Sequence, residues 1–128
     1  MELLTILLKE KDYYSVYYPK NVVDLKSDSV FESKNTEDEW LCFDFGKNRI
    51  VPTSYTIKTY DDTIGWTSTE AVTGEWNLKS WVIEVSNNGN NWIEIDRHEN
   101  NYDLNHPNAF KNFTVNKKVE CQYFRLRQ

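Results

Sequence analysis

Residues 78–95 read LKSWVIEVSNNGNNWIEI. Trp81, Ile83 and Val85 alternate with Val82, Glu84 and Ser86, the period of two expected of a strand with one face buried. Asn87-Asn88-Gly89-Asn90-Asn91 comes next, and Asn and Gly accept the positive φ that hairpin turns require. The chain returns through Trp92, Ile93 and Ile95. Two strands with a Trp on each arm form a hairpin that is not stable alone, so another sheet must cover it.

Working outward, other stretches show the same period. Residues 40–45 (WLCFDF) set Leu41, Phe43 and Phe45 on one face and Trp40, Cys42 and Asp44 on the other. In 53–60, Tyr55 and Ile57 turn inward; in 109–115, Phe113 and Val115; in 119–127, Phe124 and Leu126, against Tyr123, Arg125 and Arg127. Residues 11–18 are strand-like in composition and end at Pro19. The apolar run Leu3–Leu8 reads as a first packed turn or short helix. It is too short for a signal peptide's apolar region, follows Glu2 rather than a basic residue, and cannot span a bilayer. A cytoplasmic location is expected. Many short strands separated by turns describe an all-β sandwich of about eight antiparallel strands, with 1–12 as a lead-in and 13–128 as the domain.

If successive strands reverse direction, the short connections 46–51, 87–91 and 116–118 fall at one end. The long ones, 27–39, 61–78 and 97–108, fall at the other, where a rigid sandwich commonly binds. The long connections carry five acids and one Lys, four acids, and two acids and one Arg, a net −9 against −5 for the whole chain. That balance disfavours nucleic acid and anionic membranes as partners. Aromatic residues make up 15 % of the chain, which favours strands. Cys42 and Cys121 are too few for a disulfide scaffold; two reduced thiols is the preferred reading, with one bridge left open.

Five segments, in order, resemble the discoidin-like family, also called factor 5/8 type C domains. They are Trp40 through Gly46, Ser54-Tyr55-Thr56-Ile57, Lys79-Ser80-Trp81 leading to Ser86 through Trp92, Phe113-Thr114-Val115, and Tyr123-Phe124-Arg125-Leu126. The resemblance runs from about Tyr13 to the end and is nearest to the intracellular branch found beside BTB and similar adaptor domains. It implies a jelly-roll β-sandwich and a module that binds without catalysing. Two departures stand out. Val85 occupies a position where the family often has Gly, and the chain stops at Gln128 where the family adds one more strand. A fragment and a short copy with an open sheet edge both fit.

No phosphate loop, zinc spacing or nucleophile motif is present, and no catalytic residue is assigned. Candidate ligand-binding residues are Asp61, Asp62, Trp66, His98 and His106, all on the long connections. Trp66, flanked by Gly65 and Thr67, is a candidate for stacking on a sugar or anchoring a protein, weighed against internal packing. His98 and His106 could ligate a metal, though loop histidines are common. Asp61 and Asp62 with Glu37, Asp38 and Glu39 offer hard oxygen ligands for calcium, against the preferred reading of solvated loops; no cofactor is expected. Arg125 and Arg127 face away from the core and mark a partner surface or solvated edge charges. The first function expected is protein recognition through the acidic loop end, weakened by salt. The alternative is carbohydrate binding at the same loops, with Trp66 stacking and Asp61 or Asp62 accepting hydroxyls.

Overall fold

The computed structural model describes residues 7–10 (main chain only), 37–59, 78–106 and 109–128. Seven strands lie within them: β1 (Leu7–Glu10), β2 (Trp40–Asp44), β3 (Ser54–Lys58), β4 (Trp81–Ser86), β5 (Ile93–His98), β6 (Phe110–Thr114) and β7 (Tyr123–Arg127). One sheet has the order β1-β2-β7-β4-β5 and the other pairs β3 with β6. Every pairing is antiparallel. The all-β sandwich expected from the alternation is what forms.

The core lies between the sheets. Trp81, Ile83, Val85 and Ile95 from the larger sheet meet Phe113 from the smaller one, and Val115, Leu104, Ala109 and Cys121 close it. Tyr55, Ile57, Phe124 and Leu126 pack against it, as the alternation in β3 and β7 requires. Tyr55 stacks on Phe113 at 5.3 Å between ring centroids, and Trp81 meets Phe113 edge-on at 5.1 Å.

Two expectations change. Leu7 and Leu8, read as part of a turn or short helix, belong to β1, which pairs with Asp44–Leu41 of β2. A short apolar run cannot distinguish helix from strand by its own period. Here the edge of β2 supplies the backbone partners that β1 needs. The other expected element in that region, 11–18, lies outside the described residues. The second change is in β4, which is buried on both faces and not on one. Glu84 is covered by two arginines from β7, and Ser86 is folded into the turn after the strand.

The separation of short and long connections holds for the described residues. At one end Ile50 and Cys121 exchange backbone hydrogen bonds of 2.9 and 2.8 Å, Phe45 N–H donates to Gln122 O, and Asn87 reaches Glu120 O. At the other, Gln128 N–H donates to Glu39 O and Asn101 N–H to Lys79 O.

Candidate functional site

The register of the β4–β5 hairpin shifts between Ile83 and Glu84. On the turn side of the shift Val85 pairs with Ile93 and Glu84 with Glu94; on the far side Ile83 pairs with Asp96 and Trp81 with His98. A bulge adds a residue to one strand and re-aims the side chains beyond it. Ile95 enters the core, and Asp96 and His98, which strict alternation would not place together with it, are turned toward the other sheet. There Tyr55 O–H donates to Asp96 Oδ2, Trp81 Nε1–H donates to Tyr55 Oη at 2.9 Å, and His98 Nε2 lies 3.0 Å from Asp96 Oδ2. Asn101 Nδ2 sits 3.4 Å from His98 Nδ1. These contacts fit one tautomer, with Nε2–H donating to Asp96 and Nδ1 accepting from the Asn101 amide. Burial, then the bond to Asp96, push the Tyr55 phenol well above its usual range.

At the long-connection end opens a recess of about 330 Å³. The buried Trp81 and Val82 contribute to its lining. Ser80, Arg97, His98, Glu99, Asn100, Asp38, Arg127 and Gln128 line the rest. The bend after β5 is held by Asn100 N–H donating to Ser80 Oγ at 3.0 Å. Asp38 (φ 58°) and Asn100 (φ 50°) are the non-glycine residues with positive φ among the described residues, and both line this recess. Such conformations concentrate at binding sites, where the surroundings hold them. A second, smaller recess of about 200 Å³ lies at the short-connection end and is mainly apolar, with Val85, Ile93 and Val119 among its lining.

Charged side chains frame the polar recess. Arg97 holds Glu94 with two bonds of 2.9 and 2.7 Å and reaches Glu99 at 3.3 Å. Arg127 bonds Glu84 at 2.9 Å and Asp38 at 3.2 Å, and Arg125 bonds Glu84 at 2.6 Å while lying over Trp92, 3.7 Å from its ring centre. Burial acts to raise the Glu84 carboxyl, but the bonds from Arg127 and Arg125 outweigh it and hold it below the usual carboxylate range.

Of the expected site residues, Asp61, Asp62 and Trp66 lie outside the described residues. His98 is in the lining of the recess, where its ring nitrogens face Asp96 and Asn101 and its ring packs against Trp81 and Phe113. His106 is exposed and does not line the recess; its carbonyl accepts from Thr59 Oγ1. Among the described residues no three His, Cys, Asp or Glu side chains form a metal-sized group, and Asp38 of the acidic run is held by Arg127.

A family model described as a NedA-like, galactose-binding domain, of the factor 5/8 type C class, matches residues 21–126. The chain belongs to this family. Among solved structures it is similar to a carbohydrate-binding module, CpGH89CBM32-5 of Clostridium perfringens, in complex with GalNAc-β-1,3-galactose. That likeness has a TM-score of 0.71 at 15 % identity, over 95 % of this chain and 82 % of that one. The family 32 module of C. perfringens NanJ, in complex with galactose, gives 0.68 at 13 % over 95 % and 80 %. The module of AlyQ, in complex with 4,5-unsaturated mannuronic acid, gives 0.67 at 12 % over 94 % and 78 %. At such identities the likeness is one of fold, and it makes the sandwich a jelly roll of this type. No curated protein matches the sequence.

Sequence alone does not single out Ser80, Arg97, Glu99 and Asn100. The polar run Glu99-Asn100-Asn101 directly after a strand, within an expected binding connection, is the signal that could find them.

Proposed function

We propose that the chain is a carbohydrate-binding module whose site is the polar recess at the long-connection end. The observation that carries this reading is the recess itself. It is about 330 Å³, is lined by polar and charged side chains of both donor and acceptor type, and lies at the end of the hairpin beyond its register shift, with two positive-φ residues in its lining. The family description and the sugar-bound neighbours support it. A glycan therefore ranks above the protein partner that sequence places first. Asp61, Asp62 and Trp66 stay in this proposal as candidates from the sequence.

Calorimetric titration of the purified protein with a glycan panel including galactose and GalNAc-β-1,3-galactose tests it, with Asn100→Gly as the variant. Glycine keeps the positive φ at position 100 while removing the carboxamide. Saturable binding weakened about tenfold or more, the size of one lost polar contact with a partner left unpaired, is the expected result. Binding that the variant leaves intact would move the site elsewhere, and no binding to any glycan would defeat the reading.

A further inference from the structure

Resting on the glycan reading, we infer that this recess takes sugars without a carboxylate and turns away uronates and other acidic glycans. A carboxylate is held best by a guanidinium whose charge is not already matched. Both arginines of the recess are matched. Arg97 faces Glu94 and Glu99, and Arg127 faces Glu84 and Asp38. Arg125 adds a third cation, but it also lies on Glu84. Three guanidinium groups thus meet four carboxylates, and Asp96, held by Tyr55 and His98, adds a fifth. His98 offers no compensating proton donor, because each ring nitrogen already faces a partner.

The most exposed charged groups of these pairs are the acceptors. The Asp38 and Glu99 side chains are 72 % and 68 % exposed, and each engages an arginine through one oxygen. Sugar hydroxyls donate to such oxygens; a sugar carboxylate has no proton to give and meets like charge. The neutral and the acidic ligand named among the neighbours, galactose and unsaturated mannuronic acid, are therefore not equivalent for this chain.

Matched methyl glycosides separate the possibilities: galactose with galacturonate, glucose with glucuronate and mannose with mannuronate, titrated against the 128-residue protein by NMR. In each pair that binds, the acid is expected to be weaker by about threefold to tenfold at low salt, the effect of one or two unit charges about 6 Å away in a water-like medium. The gap should narrow as salt rises from about 0.01 to 0.15 M and the screening length falls from about 30 to 8 Å. The double variant Asp38→Asn, Glu99→Gln, on two exposed side chains, should raise the affinity of the acid relative to its neutral partner. An acid that binds as well as its neutral partner overturns the inference and leaves the glycan reading standing. So does an unchanged ratio in the double variant. Failure of every sugar to bind defeats the glycan reading and the inference with it.

Discussion

His98 lies nearly flat against Trp81, with ring centroids 4.5 Å apart and 26° between the planes. Phe113 meets both rings edge-on, at 4.8 and 5.1 Å. The imidazole is thus one layer of an aromatic stack packed on the core. Replacing it removes ring contacts and leaves Asp96 with one donor fewer. His98→Ala should lower the unfolding free energy by about 2 kcal/mol, combining an aromatic contact with a hydrogen bond to a charged group. Urea denaturation measures it, and a loss below about 0.5 kcal/mol would return His98 to the ranks of surface residues.

Tyr55 links the two sheets through its hydroxyl, accepting from Trp81 and donating to Asp96. Tyr55→Phe leaves the Trp81 N–H in a nearly dry site without its acceptor and should cost about 1 to 2 kcal/mol. It should also change the alkaline limb of stability. Burial and Asp96 raise the phenol above its ordinary value of 10.0, so the folded state keeps a proton that the unfolded state releases. The contribution is complete below pH 10 and is lost as pH rises from there toward the folded value. Wild type should therefore destabilise above pH 10 more steeply than Tyr55→Phe, with one late-titrating phenol in an absorbance titration that the variant lacks.

The sandwich is legible in the sequence because its signals are local. Alternation at Trp81-Ile83-Val85, at Tyr55-Ile57 and at Phe124-Leu126 decides which face is buried without knowing the partner strand. The Asn-Asn-Gly turn is likewise encoded by the residues that form it. The recess is not legible, because it depends on register. Nothing within Ile93–His98 announces the shift opposite Ile83 and Glu84, so the sequence puts His98 on a loop and not against Trp81. Glu84 meets Arg125 and Arg127, 41 and 43 residues away, only once β4 and β7 are aligned. The sign of the loop end is readable from composition; that its arginines are each matched by acids is not.

Gly89 has φ of 75°, within a turn organised by side chains. Ser86 Oγ accepts the N–H groups of Asn88 and Gly89, and Asn88 Oδ1 accepts those of Asn90 and Asn91. A Cβ at position 89 would meet the Tyr123 ring at an ordinary 3.7 Å, so space is not the constraint. Gly89→Ala should therefore cost only the left-handed backbone penalty, about 1 kcal/mol, and Gly89→Asn distinctly less. Equal, large losses in both variants, read from thermal unfolding, would mean that the ring of Tyr123 cannot yield.

Glu84 ties the charged face of β4 to β7, and its removal leaves two guanidinium groups without their shared carboxylate. Because burial would raise its carboxyl while Arg127 and Arg125 hold it down, the folded state binds its proton less readily than the unfolded chain does. Stability from this group is present above the ordinary carboxylate value near 4.5 and is lost as pH falls through the lower folded value. Glu84→Gln should cost about 2 to 3 kcal/mol at neutral pH, less than a fully buried pair because the arginines keep some solvent. The same variant should flatten the acid limb, so that wild type and variant draw together as pH falls below the ordinary carboxylate value and through the lower folded one. Urea midpoints measured across that interval decide it: curves that stay parallel would show that Glu84 is a packing residue whose charge does not matter.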